Sequence, residues 1–492
     1  MKEKATDSYS HVLKYTGIFG GVQGLNILVG LVRNKLVAWL LGTEGMGLAS
    51  LFNTTVNFVS QATNFGISFS AVKHVSELFD SGDEAAIEHF IKVVRAWSLL
   101  TACLGMLVCV VAGPLLSNYT FSWGDHTQHF VLLSPAVGLL AITGGETAIL
   151  KGARRLRSLA VIQVYSVLAS LVIAIPIYYF FGQSGIVPVI VLMALASMLL
   201  TVCHSYHFYP LRLKGERGIL GEGMAMVKLG LAFVVAGIMG SGAEMIVRSF
   251  LNVSANLDVV GLYNAGFMVT ITYAGMVFSA MEADYFPRLS AVPQDDVVAQ
   301  NLTVNRQIEV SLLLIAPMLA AFVIAQPIMI PLLFTDEFLP VVPMAQVAVF
   351  SMYLKSLSLP MGYLNLAKGN SMGYLLMEAI YYMAFVVLLV CGYSYWGLYG
   401  TGIALVLSYA VEMVVVYLYV HFRFRYTVST PVLCYLAVQL LLGVGVYAST
   451  FIQSARLSWG LGLAGVVLST AFSFTVLRRK TSLWNALMRR WF

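Results

Sequence analysis

The sequence predicts an all-α, polytopic membrane protein, and three observations carry that prediction. Of its 492 residues, 59% are hydrophobic and only 11% are charged, a balance far too apolar for a soluble chain of this length. Apolar runs of about 20 residues, the length that crosses a bilayer, tile the chain almost without interruption. A set of landmark residues also recurs after about 215 positions, the mark of an internal duplication. Long runs in place of short alternating segments argue against a membrane barrel.

About fourteen transmembrane helices are expected, centred near residues 28, 59, 105, 141, 169, 195, 238, 270, 320, 352, 382, 408, 441 and 468. The polar stretch Met1 to Lys14 leads into an apolar run too long for a cleavable signal peptide. The first six spans form an N-terminal bundle, residues 1–209. A basic, partly amphipathic stretch, 210–225, follows and reads as an interfacial linker. The next six spans form a second bundle, residues 226–428. The landmarks tie the bundles together: Arg33, Gly47 and Lys73 answer to Arg248, Gly261 and Arg288. Lys151-Gly152 likewise answers to Lys368-Gly369, and Gly185-Ile186 to Gly402-Ile403. An even number of spans per copy makes this a parallel repeat, the plan of many transporters. Residues 429–492 match neither copy and read as an appended two-helix hairpin with a basic tail.

Charge orients the chain. Counting loops alternately from the N-terminus, one side collects nearly all Lys and Arg: Lys73, Lys92 and Arg95, then Lys151, Arg154, Arg155 and Arg157. The same side continues with Arg212, Arg288, Arg306, Lys368, Arg423, Arg425 and the run from Arg478 to Arg490. The opposite loops hold Arg456 beside Glu44, Asp125, Asp336 and Glu337. By the positive-inside rule both termini are cytoplasmic, and the net charge of +6 is a topology signal, not a nucleic-acid footprint. Cys103, Cys109, Cys203, Cys391 and Cys434 fall in apolar runs without metal spacing and read as small hydrophobes in packed helices.

The candidate site is cationic and amide-lined. Arg33 and Lys35 sit in the first span, about 9–12 Å from its outer end at about 1.5 Å per residue. Snorkelling to the interface is their plain structural explanation. Arg248 follows Glu244 by one helical turn, an i,i+4 pair that an anion is able to contest. Lys355 lies near the middle of its span, too deep to snorkel, and a structural lysine there needs a buried acid. Asn53, Asn57, Gln61 and Asn64 recur at helical spacing, one polar face for either interhelical hydrogen bonds or sugar hydroxyls. Together these residues suggest an anionic cargo in a cavity between the bundles, with Glu244 and Glu412 as candidates for ion coupling or gating. Glu146 and Glu378, near span ends, read as solvated. Neither a catalytic residue nor a cofactor is expected. His126 with His129 and His204 with His207 have helical spacing but no further ligands, so no metal site is expected either.

Several stretches resemble the polysaccharide flippases of the multidrug/oligosaccharidyl-lipid/polysaccharide exporter superfamily, the Wzx type. They are Asn34-Lys35-Leu36-Val37, Gly42 through Ala49, Ala71-Val72-Lys73, Val247-Arg248, Gly261-Leu262-Tyr263 and Phe286 through Ser290. Tyr353-Leu354-Lys355, Leu366-Ala367-Lys368 and Met377-Glu378 complete the likeness, which covers roughly residues 10 to 425. The resemblance implies translocation of an undecaprenyl-pyrophosphate-linked oligosaccharide, an O-antigen, capsule or exopolysaccharide unit, from the cytoplasmic to the periplasmic leaflet. It places Lys35, Arg248 and Lys355 at cationic positions facing the cavity, where they would bind pyrophosphate. Arg33 joins them through the internal repeat. It further implies the bacterial inner membrane, H+ or Na+ as coupling ion, and polymerase and chain-length machinery as partners. The appended hairpin departs from the roughly twelve spans of many such flippases. Fourteen spans also occur in lipid II flippases of the superfamily, so a peptidoglycan precursor is an alternative cargo.

Two other readings compete. A cation-coupled multidrug exporter of the same superfamily would favour acids in its cavity, whereas the deepest charges here are basic. A polymerase or glycosyltransferase would need acids or a base on a sizeable outer loop. The largest one, near 117–129, offers only Asp125 and two histidines.

Overall fold

A computed structural model describes residues 2–121, 124–210, 219–293 and 295–480. Among these, every regular element is helical. The helices are α1 (Lys2–Thr63), α2 (Ile67–Ser81), α3 (Glu84–Val111), α4 (Gly113–Thr120), α5 (Thr127–Gly152), α6 (Leu156–Phe181), α7 (Ile186–Phe208) and α8 (Ile219–Ser254). They continue as α9 (Leu257–Phe267), α10 (Ala274–Ser290), α11 (Val297–Leu333), α12 (Val342–Ala348), α13 (Phe350–Ala367), α14 (Ser371–Phe424), α15 (Thr430–Ser449) and α16 (Ala455–Lys480). A π-helical turn, Met268–Tyr273, joins α9 to α10. Of the expected linker at 210–225, residues 211–218 lie outside the described residues and 219–225 belong to α8; the tail from residue 481 also lies outside them.

Nine described helices are long and apolar enough to cross a membrane, or ten if the bent pair Asp336–Ala348 and Phe350–Ala367 is one span. Two of these stretches, 157–208 and 371–424, are broken in the middle and double back, which raises ten to twelve. α1 is itself two legs merged across Gly42, whose φ of 64° and ψ of −169° are not helical. Neither leg of α1 is among those candidate spans, so the described helices supply ten to twelve of the fourteen expected.

The duplication is visible in the backbone. The break between α6 and α7 is made by Gly182 (φ 53°, ψ −132°), and the break inside α14 by Gly397 (φ 57°, ψ −143°). Only a residue without Cβ takes that conformation readily, and the two glycines stand about 215 positions apart, the spacing of the sequence repeat. Arg154 (φ 55°) and Gly369 (φ 70°), which close the helices before them, keep the same interval. α5 and the α12–α13 run also begin and end in register, at 127 and 152 against 342 and 367.

Two compact units result. The first holds residues 1–261 with 333–335, the second residues 262–332 with 336–492. In the first, α5 packs along α3 and α7, and glycines let backbones approach: Gly105 of α3 meets Val137 of α5 and Thr63 of α1, Gly145 of α5 meets Ser98 of α3, and Gly152 of α5 meets Val75 of α2. Close packing of small residues holds helices together where surrounding lipid is as apolar as the side chains. In the second, Leu319, Val323, Met352, Tyr353 and Tyr409 build a core that takes in Val446 of α15. The hairpin α15–α16 is clamped by Gln439, whose amide donates to the Ser473 hydroxyl at 2.7 Å and accepts from Ser469 at 2.5 Å. Lys480 joins the end of α16 to Glu309 of α11 at 2.5 Å.

The cysteines correct the sequence reading. Only Cys109 is buried, while Cys103, Cys203, Cys391 and Cys434 are exposed. An exposed thiol on an apolar span is as acceptable against hydrocarbon as in a packed helix.

Candidate functional site

In the first unit the site is built on the second leg of α1, residues 43–63, and on α8. Gly237 abuts Gln61, Gly242 abuts Phe58, and Arg248 reaches Ser50, so the leg and α8 run antiparallel. Leu51, Phe52, Val56 and Val59 bury one face of the leg. Asn53, Asn57 and Gln61 occupy the other face and are exposed. Asn53 bonds only within its own helix, Nδ2 donating to the Ala49 carbonyl at 2.8 Å. Three of the four amides predicted from spacing therefore form an open polar stripe not consumed by packing. Asn64 departs from it: the helix ends at Thr63, and Phe65 (φ 50°) turns the chain so that Asn64 donates to Ser68 at 2.9 Å.

Arg248 sits beside this stripe, only 4% exposed. Its Nε donates to the Ser50 hydroxyl at 2.9 Å and its Nη1 to Glu244 Oε2 at 3.1 Å. The predicted i,i+4 ion pair is thus formed, but its partners differ in access: Glu244's side chain is 41% exposed against 5% for Arg248. The guanidinium is held from behind by serine and carboxylate, a fork of donors fixed in orientation. Arg33 and Lys35, on the first leg of α1, are half-buried. Arg33 Nη2 donates to Asn34 Oδ1 at 3.4 Å and acts electrostatically on Tyr178 of α6. These two cations lie on the other leg of α1 from the amides, across Gly42.

In the second unit, Lys355 has the acids that its depth demands. Its Nζ lies 5.8 Å from the Phe278 ring centre and 5.9 Å from that of Tyr409. Glu378 and Glu412, one on each leg of α14, both act electrostatically on it. The Tyr374 and Tyr382 side chains lie near Glu378, and Ser358 lies near Glu412. Ser358, Tyr374, Glu378, Tyr381 and Glu412 line a cleft of about 70 Å³, room for a few waters or an ion and too small for a sugar. Spacing alone hid this cluster, because 355, 378 and 412 share no local period. The clue was charge accounting: a lysine and two acids within three neighbouring spans.

Glu146 also differs from expectation. It is 3% exposed, not solvated. Arg95 of α3 clasps it at 2.8 and 3.3 Å and also donates to the Tyr209 carbonyl at 2.8 Å, while Ser205 donates to Glu146 at 2.5 Å. This closed network ties α3, α5 and α7 and leaves little capacity for a ligand. His126 and His129 pack their rings 5.2 Å apart, with Phe121 on one and Phe52 on the other. Among the described residues no group of three or more His, Cys, Asp or Glu is placed to hold a metal ion.

A family model described as "Polysaccharide biosynthesis protein" matches residues 36–343. Solved structures of the same fold include an inward-facing multidrug resistance transporter of the MATE family and MOP superfamily. It is 14% identical with a TM-score of 0.69, over 81% of this chain and 94% of that one. The lipid II flippase MurJ in an inward closed conformation matches at 12% identity and a TM-score of 0.70, over 94% and 99%. A MOP transporter from Pyrococcus furiosus, described as having a binding pocket of reverse polarity, matches at 14% and 0.58, over 83% and 93%. No curated protein matches the chain by sequence.

Proposed function

Because the chain belongs to the polysaccharide biosynthesis family, we propose that it is a flippase for an undecaprenyl-pyrophosphate-linked oligosaccharide, which it moves from the cytoplasmic to the periplasmic leaflet of the inner membrane. The observation that carries this reading is the open amide stripe of Asn53, Asn57 and Gln61 running beside the buried guanidinium of Arg248. A pyrophosphate bearing several sugars loses its hydration in hydrocarbon, at a cost that keeps it from crossing unaided. Amides supply both donors and acceptors to sugar hydroxyls, and a preoriented guanidinium supplies paired donors to a phosphate. Exposed amides on an apolar span need water or a polar cargo in front of them. In this reading Arg248 binds the pyrophosphate, Glu244 is the carboxylate it exchanges for cargo, and Arg33 and Lys35 are further phosphate contacts. Lys355 is the cation of the second unit, with Glu412 as its ion-coupling partner.

The test is transfer of a fluorescent undecaprenyl-pyrophosphate-linked oligosaccharide between leaflets of reconstituted liposomes. Wild type is expected to transfer it. The triple variant Asn53→Ala, Asn57→Ala, Gln61→Ala should slow transfer at least tenfold, and Arg248→Ala should do the same. Normal transfer by both variants would sink the reading.

A second reading, a cation-coupled multidrug exporter, has one observation in its favour: the paired carboxylates Glu378 and Glu412 around a small cleft. Gradient-driven efflux of a cationic dye from the same liposomes, without transfer of the lipid-linked sugar, would establish it. Transfer of lipid II in place of the oligosaccharide would identify the peptidoglycan precursor as cargo.

A further inference from the structure

The two legs of α14 leave between them, near the Ser371 and Phe424 ends, an open groove of about 460 Å³. Its walls are apolar: Leu376 and Ile380 from one leg, Leu418 and Phe422 from the other. Leu376, Leu418 and Phe422 are 53%, 45% and 79% exposed, and they lie on a stretch long and apolar enough to cross a membrane. The groove is built, not incidental. Tyr419 lines it with its hydroxyl held by the Asn370 amide at 2.8 Å, and Gly373 is glycine where any Cβ would strike that hydroxyl. At one end the lining changes character: the last residue along the wall is Arg423, exposed, with His421 and Arg425 beside it.

Length and charge identify an occupant. From Val415 to Arg423 the wall runs about 12 Å at about 1.5 Å per residue, close to the roughly 15 Å half-thickness of a bilayer's hydrocarbon core. A chain seated there would reach from the headgroup level to near the midplane and no further. The cation stands at the headgroup end, and the positive-inside bias assigns that end to the cytoplasm. An arginine fork suits a phosphate, and a cation at this depth favours a lipid of net negative charge.

We propose that this groove is a binding site for an anionic glycerophospholipid of the cytoplasmic leaflet, its acyl chain between the legs of α14 and its phosphate on Arg423. The groove shares Met377 with the cleft of Glu378 and Glu412 but lies apart from the amide stripe and Arg248, and the proposal does not depend on what the cargo is. A polyprenyl chain is far longer than the groove and fits it poorly.

The experiment is native mass spectrometry of the purified full chain titrated with phosphatidylglycerol or phosphatidylethanolamine. Both lipids carry a phosphate, but only the first is net negative. Wild type should retain phosphatidylglycerol about fivefold more tightly, the worth of one interfacial cation. Arg423→Ala, a change at an exposed position, should erase that preference, and Arg423→Lys should keep part of it. Ile380→Trp, which fills the groove, should reduce retention of both lipids. Equal retention of the two lipids by wild type would overturn the proposal. So would a preference that survives Arg423→Ala, retention untouched by Ile380→Trp, or tighter retention of undecaprenyl phosphate.

Discussion

Two partly buried cations in this protein illustrate how differently a charge is accommodated. Arg95 is fully engaged: it grips Glu146 twice and caps the end of α7 through the Tyr209 carbonyl. With the side chains 11% and 3% exposed, Arg95→Ala strands the carboxylate and should cost about 3–5 kcal/mol, read as a lowered unfolding midpoint in detergent. Arg95→Lys should recover little, because a single ammonium cannot replace the fork or the stacking 4.2 Å above Tyr206. Lys355 instead faces two acids, so its local charge sums to −1 when all three are ionised. Lys355→Met should therefore lower thermal stability, and adding Glu378→Gln with Glu412→Gln should restore it without restoring transfer. Recovery of transfer in that triple variant would show that the cluster serves packing alone. The sequence made the depth of Lys355 and the Glu244–Arg248 pair legible, since both follow from spacing along one helix. It hid the Arg95–Glu146 clasp, because nothing local links positions 51 apart on different spans.

At the scale of elements, one helix contact bears directly on movement. The start of the second α1 leg meets the start of α9 so closely that a Cβ on Gly47 would overlap the Leu257 carbonyl, and one on Gly261 the Thr43 carbonyl. Backbone atoms do not step aside as a flexible side chain does. Gly47→Ala should pry these helix starts apart and make cysteines placed at 43 and 258 more reactive to a polar thiol reagent. Gly30→Ala, with open space around it, is the control and should be neutral or gain up to about 1 kcal/mol in helix propensity. If transport requires this contact to open, a Thr43→Cys, Asp258→Cys pair should stop transfer when oxidised and release it when reduced. The α15–α16 hairpin is a second case. Gln439→Leu removes its polar clamp and leaves Ser469 and Ser473 to find other partners, a loss of about 1–2 kcal/mol, measurable as earlier proteolysis of the hairpin. Elements of this kind were legible wherever the apolar runs were long, and every candidate span from Glu84 to Lys480 falls where hydropathy put it. The breaks were not: Gly182 and Gly397 are two of 42 glycines, and only their shared φ and ψ single them out.

For the whole molecule, the even span count expected from the sequence and the loop charges make one prediction about topology. Cysteines placed at Gly124 and Glu337 should react with an impermeant reagent in intact cells, and those at Arg154 and Lys368 only after lysis. The reverse pattern would invert the orientation, and a mixed pattern would change the span count. Legibility at this scale came from periodicity, since a duplicated chain repeats its landmarks whatever its tertiary contacts. What periodicity does not convey is which residues meet across the fold. The Glu378–Glu412 pairing with Lys355 and the groove of α14 exist only once the two legs fold back on one another.

The contact of Thr43 with Asp258 adds a historical dimension. The hydroxyl donates to the carboxylate at 2.5 Å, and the two positions are 215 apart, the interval that separates Arg33 from Arg248. Around it the meeting is two-fold: a Cβ on Gly47 would strike the Leu257 carbonyl and one on Gly261 the Thr43 carbonyl, so Gly47 answers to Gly261 and Thr43 to Leu257, at an interval of 214. The hydroxyl–carboxylate bond breaks that symmetry, since the counterpart of Thr43 is a leucine and that of Asp258 is Glu44. It is a bond open only to a chain whose two copies have diverged in sequence.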